Sequence, residues 1–189
     1  MNNIATVAGT GTASSTGTGG LATAATFNSP RSVWQDSLGY LFVGEQGGNC
    51  VRKFSTSNFI VINVAGVCGT SANYGGDGGP ATSALFSSPL SSIVDTTGQV
   101  FICDLNNNLV RKVSTSNIMS IVVGTTTGSN TGDGGAATSA SIQTPSGIWV
   151  NSLAQIYVTS FSGHVARTIS SGGIITLLAG MLEMKIVIF

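Results

Sequence analysis

Apolar positions alternate with polar ones in short runs along this chain and never hold a helical period for long. Four kinds of run recur in a fixed order. The first is Val33-Trp34, Ile93-Val94 or Ile148-Trp149-Val150, and the second is Leu41-Phe42-Val43, Val100-Phe101-Ile102 or Ile156-Tyr157-Val158. The third is Val51-Arg52-Lys53-Phe54, Val110-Arg111-Lys112-Val113 or Ala166-Arg167-Thr168-Ile169, and the fourth ends in Val64-Ala65-Gly66, Val122-Val123-Gly124 or Leu178-Ala179-Gly180. These runs are rich in the β-branched and aromatic residues that suit a pleated surface. Turn residues fill every break: Gly39 and Gly98, with Ala154 in the third copy, and Ser-Thr-Ser-Asn at Ser55 to Asn58 and again at Ser114 to Asn117. The pattern predicts four-stranded antiparallel meanders.

Independent markers give the period. Gly9, Gly66, Gly124 and Gly180 are 57, 58 and 56 residues apart, while Pro30, Pro89 and Pro145, like Arg52, Arg111 and Arg167, are 59 and 56 apart. A unit of about 57 residues is therefore present three times. One twisted meander cannot bury both of its faces, so the units must stack. Four antiparallel strands per unit favour a radial β-propeller over a solenoid of shorter coils.

The stretch Pro89, Ile93-Val94-Asp95, Gly98, Val100 to Asp104, Asn106-Asn107 and Val110 to Val113 resembles the NHL-repeat family of β-propellers. The loop Gly76-Asp77-Gly78-Gly79-Pro80-Ala81-Thr82-Ser83-Ala84, repeated at Gly132 to Ala140, is similar to the inter-blade loop of the long-repeat bacterial branch of that family. The resemblance covers residues 2 to 180 and implies an all-β fold of propeller blades. The units fall at 1–66, 67–124 and 125–180, and the tail 181–189 abandons the repeat. A closed ring of this family resembles six blades, whereas this chain holds three plus a leading strand, Ile4 to Ala8. Three readings follow: a fragment of a longer propeller, half of a dimeric ring, or an open array that associates through its exposed edges.

Charge adds architecture rather than chemistry. The chain carries 7 acidic and 7 basic residues. Asp36 with Asp95, Glu45 with Asp104, and Asp77 with Asp133 occupy equivalent positions, as do Arg52, Arg111 and Arg167. A charge placed in every copy holds the copy together, and the expected pairing is of the strand arginines with Asp36, Asp95, Glu45 or Asp104. The third unit departs from the pattern, with Ser160 where Glu45 and Asp104 stand. A net charge of zero excludes a nucleic-acid partner, because no basic excess is present to release counterions. No apolar run approaches a spanning helix, and no basic segment followed by an apolar core opens the chain. Charged residues make up only 7% of the chain, against roughly 25% in ordinary domains, which favours an extracellular repeat protein. Cys50, Cys68 and Cys103 fall at different points of the repeat and form neither a framework nor a zinc pattern. Cys50 and Cys103 read as small buried apolar residues, with a disulfide through Cys68 left open.

A single catalytic site must come from residues that break the repeat. His164 is the only histidine and takes the turn position of Asn49 and Asn108 without a carboxylate neighbour in sequence. Asp77 and Asp133 each offer one carboxylate per loop, short of the six to eight oxygens calcium takes, so the loops read as glycine turns in which Asp caps backbone. Trp34 and Trp149 read as core, and Tyr74 as a ligand contact. The candidate contacts are therefore Tyr74, Asp77, Asp133 and His164, with no cofactor required. The expected function is a non-enzymatic scaffold presenting loops 10–26, 67–85 and 125–141 to a protein or glycan. The alternatives are a metal-dependent lactonase- or lyase-like propeller enzyme needing a closed ring, and a self-assembling extracellular structural protein.

Overall fold

A computed structural model describes residues 4–180 of the chain. It contains three four-stranded antiparallel sheets, each a simple meander. The first comprises β1 (Pro30–Gln35), β2 (Tyr40–Glu45), β3 (Cys50–Ser55) and β4 (Val61–Ala65). The second comprises β5 (Pro89–Val94), β6 (Val100–Asp104), β7 (Leu109–Val113) and β8 (Met119–Val123). The third comprises β9 (Pro145–Val150), β10 (Ile156–Ser160), β11 (Val165–Ile169) and β12 (Ile175–Gly180). Two single-turn 3-10 segments, Ala81–Ser83 and Leu105–Asn107, complete the elements. The first strands β1, β5 and β9 lie side by side, so the sheets are blades arranged about the edge those strands form. The array does not close into a ring.

The repeat extends to irregularities. Pro30, Pro89 and Pro145 each sit at a bulge on the free edge of a first strand, where a missing backbone N–H costs no ladder bond. A second bulge falls beside the strand arginine in each sheet and leaves Val64, Val122 or Leu178 as the extra residue of the fourth strand. Asp36 and Asp95 close the first hairpin of their sheets, each accepting two backbone N–H bonds: Leu38 and Tyr40 at 2.9 and 2.8 Å, and Thr97 and Gln99 at 2.9 Å each. Asn151 performs the same closure in the third sheet for Leu153 and Gln155.

The core lies between blades. Phe42, Val51, Val64 and Ala65 of the first blade meet Val94, Val100, Ile102, Val113 and Met119 of the second. Ile93, Phe101, Val110 and Val123 of the second meet Val150, Ile156, Val158, Ile169 and Ile175 of the third. The inter-blade connections are wedged into these interfaces and are not free display loops: Ala81, Ala84 and Phe86, like Ala137, Ala140 and Ile142, are at most 1% exposed. Each connection also hydrogen-bonds the start of its blade's outer strand, as in Gly78 N–H to Met119 O and Gly134 N–H to Ile175 O, both 2.8 Å. Gly76 and Gly132 make the wedge possible: with φ of +86° and +92°, a Cβ there would meet the Cα of Ala84 or Ala140 at 2.7 or 2.8 Å.

Three expectations need correction here. The leading strand Ile4 to Ala8 is not formed: no strand among the described residues pairs with it, and Ile4 is fully exposed. Cys50 is bonded to Cys68 across 18 residues and ties β3 to the connection after β4; Cys103 remains free and buried. Trp34, partly buried, packs against both inter-blade clusters, but Trp149 is not sealed in the core. They meet edge to face, 5.4 Å apart, on the first strands of the two outer blades, and Trp149 is 50% exposed. The tail 181–189 lies outside the described residues.

Candidate functional site

The ion pairs show which charges are spent on the fold. Arg52, Arg111 and Arg167 are at most 1% exposed, each at the centre of a third strand facing the wedge. Arg52 Nε bonds Glu45 at 2.5 Å, and its terminal nitrogens bond the carbonyls of Thr16 and Thr26. Arg111 bonds Asp77 at 3.0 Å, Asp104 at 3.4 Å and the carbonyls of Gly75 and Leu85. Arg167 bonds Asp133 at 2.7 Å and the carbonyl of Ser141. The carboxylate partners of the arginines are thus Glu45, Asp77, Asp104 and Asp133; Asp36 and Asp95 are confined to their hairpin turns.

Asp77 and Asp133 cap neither a helix nor their own backbone. They reach across the wedge to an arginine, each with one carboxylate oxygen on a guanidinium. Among the described residues, one group of metal-ligand side chains converges, Glu45 with Cys50 and Cys68, and its two sulfurs are joined as a disulfide.

The third blade compensates for its missing carboxylate. In the first two blades Glu45 and Asp104 accept the backbone N–H of Asn28 and Ser87, at 2.9 and 2.8 Å. In the third, Asn130 Oδ1 accepts the equivalent N–H of Gln143 at 3.2 Å and the Ser160 hydroxyl at 3.1 Å. The neutral amide carries no charge toward Arg167, whose Nε has no partner among the described residues. Sequence reading noticed Ser160 but not Asn130, since the two are 30 residues apart and only the wedge brings them together.

One end of the blades is built of the connections and the turns they meet. There the first part of each connection (residues 10–16, 67–74 and 125–130) meets the turn between second and third strands (46–49, 105–108 and 161–164). Asn49 Nδ2 bonds Thr70 O at 2.9 Å, Asn107 Nδ2 bonds Asn73 O at 2.9 Å, and Gly69 N–H bonds Gly48 O at 2.9 Å. Of the four candidate contacts, this end holds Tyr74 and His164. Tyr74 is 40% exposed, and burial of its inner part together with the Asp77 carboxylate raises its phenol above the usual range. Phe161, 73% exposed at the same end, was not singled out from sequence, because a phenylalanine between two serines carries no pattern. His164 is exposed and has a left-handed backbone, φ +55°, as Asn49 and Asn108 do at +53° and +57°.

No protein-family model and no curated protein matches the chain. Solved structures do. The chain is similar to streptogramin B lyase, with a TM-score of 0.54 and 13% identity over 78% of this chain and 39% of that one. It is similar to a gluconolactonase from Xanthomonas campestris, with a TM-score of 0.57 and 11% identity over 80% of this chain and 48% of that one. A chain of a nidogen–laminin complex matches with a TM-score of 0.56 and 11% identity, again over 80% and 48%. The chain thus spans less than half the length of each of these structures, and at such identities the likeness concerns the fold alone.

Proposed function

We propose that the chain is a non-enzymatic, NHL-like propeller array of units 1–66, 67–124 and 125–180 that binds a protein partner through the loop end of its blades. One observation carries this reading: the recurrent arginines and the Asp77, Asp104, Asp133 and Glu45 carboxylates are turned into the wedges, where they brace the connections. The loop end is left with aromatic and amide groups on a rigid frame. Tyr74 beside Asn73 and Phe161 between two serines suit the partly apolar, partly hydrogen-bonding character of a protein interface, in which aromatic residues are enriched. The Cys50–Cys68 disulfide supports an oxidising, extracellular setting. Propellers work both as enzymes, as in the lyase and the lactonase, and within protein complexes, as in the nidogen–laminin assembly. The inward-facing charges of this chain favour the second use.

The test is a screen of the folded chain against an arrayed panel of extracellular proteins and glycans, alongside a Tyr74→Ser, Phe161→Ser variant. Protein binding that the variant loses by tenfold or more is expected. Binding confined to glycans, or unaltered in the variant, overturns the reading, as does turnover of a lactone with added divalent metal.

A further inference from the structure

The two internal blade interfaces are built to one pattern, and each outer surface of the array carries one unmatched half of it. On the leading face of a blade, Ile102 and Val113 in the second, like Val158 and Ile169 in the third, are at most 4% exposed. Their counterparts in the first blade are Val43, partly buried, and Phe54, 2% exposed beneath Ala22 and Ala25; with Phe27 and Val33 they line an open apolar groove of about 820 Å³. Val33 is 67% exposed there. On the trailing face, Leu178 of the third blade stands where Val64 and Val122 pack against the next blade, and it is 58% exposed.

The polar half of the pattern agrees. At each internal interface a left-handed asparagine caps the residue that leads into the next first strand. Asn49 Oδ1 accepts the Ser88 N–H at 2.9 Å, and Asn108 Oδ1 accepts the Thr144 N–H at 3.0 Å. Ser88 and Thr144 have φ of +56° and +45°, and their counterpart in the first blade is Ser29 at +49°. Ser29 is exposed, and its N–H meets no acceptor among the described residues. His164 is the counterpart of the capping asparagines, and an imidazole nitrogen accepts as their amide oxygen does. On the first strands, Ser32 meets Ser92 across the first interface at 3.2 Å. Gly147 stands in the Ser32 position of the third blade, which leaves room for Val33, the larger counterpart of Ser92.

We propose that the trailing face of the third blade binds the leading face of the first blade of a second copy. Two copies joined in both directions close a six-blade ring, with His164 of each accepting the Ser29 N–H of the other. This continues an interface used twice within the chain, and its heterologous contact becomes a closed one after two copies. It requires one rearrangement. Gly9 N–H bonds Ala22 O, as Gly66 bonds Ala81 O and Gly124 bonds Ala137 O. In the ring, Gly180 of the second copy takes that acceptor, so residues 4–9 leave the groove they now border.

Light scattering on the 19.0 kDa chain should give twice that mass. Separately purified Ser29→Cys and His164→Cys chains, mixed and oxidised, should yield a covalent dimer that neither forms alone. Asn108→Cys with Thr144→Cys in one chain serves as the intrachain control, linking the same pair of positions. Leu178→Asp should dissociate the dimer while that control link still forms, and removing residues 1–8 should tighten the dimer tenfold or more. A monomer, an open-ended assembly, or a control that links while the mixture does not, would overturn the proposal. So would a dimer that Leu178→Asp leaves intact.

Discussion

Replacing Asp104 by Asn should leave the protein at neutral pH as stable as it was, or more so, although the change removes half of a buried ion pair. In the second unit one arginine pairs with two carboxylates, Asp77 and Asp104, whereas in the first Arg52 pairs with Glu45 alone and in the third Arg167 pairs with Asp133 alone. Asp104 is fully buried, and burial raises its carboxyl from 3.8 to about 6, against the opposing hydrogen bonds of Asn107 and Ser87 and the pull of Arg111. A carboxyl raised on folding binds its proton more tightly in the native state than in the unfolded one. The stability it contributes is complete below about pH 4 and is lost as pH rises through about 6. A rise of roughly two units at about 1.4 kcal/mol each sets the loss at about 3 kcal/mol at most. Asn keeps an oxygen for the Ser87 N–H, and Arg111 keeps Asp77. Urea unfolding followed by the fluorescence of Trp34 and Trp149, at pH 5 and 7.5 and one fixed protein concentration, measures both effects. The wild-type chain should lose about 1.4 kcal/mol between the two values through this group, the rest of the loss falling below pH 5, and Asp104→Asn should show that loss no longer. A wild-type chain more stable at pH 7.5 than at pH 5, with an Asn variant weaker by 3 kcal/mol or so, would mean that the ion pair outweighs burial.

Arg111→Met should cost about 3–5 kcal/mol in the same assay, because it strands Asp77 and Asp104 and leaves the Gly75 and Leu85 carbonyls without their donor. Reducing the Cys50–Cys68 bond frees a loop of 18 residues and should cost about 3 kcal/mol, read as a lowered Tm in reductant that a Cys68→Ser variant reproduces without it. Ala154→Gly should stabilise by about 1 kcal/mol, since Ala154 holds φ +58° where the other blades use Gly39 and Gly98. A neutral or destabilising result in calorimetry would show that the third hairpin gains nothing from relief of its backbone.

The strands were legible because each apolar run is short, alternating and bounded by turn residues, so the local pattern already fixes which side chains share a face. Val51-Arg52-Lys53-Phe54, read from its own alternation, lies within β3. The candidate site was less legible. Asp77 looks like a turn residue in sequence, and its role depends on Arg111, 34 positions away and across the wedge. The equivalence of Ser160 and Asn130 to a carboxylate is likewise a relation between two loops, invisible to a count of charges. Phe161 carried no pattern at all and is recognised only by its exposure.

The sequence by itself determined the repeat, the four-strand unit, the placement of its arginines and a net charge of zero, since all of these depend on spacing and residue type alone. The tertiary structure decided the partners: which carboxylate meets which arginine, that Cys50 bonds Cys68, that the glycine-rich connections are mortar between blades, and that two blade faces stay open. The physical reason is one of range. Strand propensity and turn chemistry act over a few residues, whereas ion pairs, disulfides and apolar interfaces join groups that only the stacking of blades brings within reach.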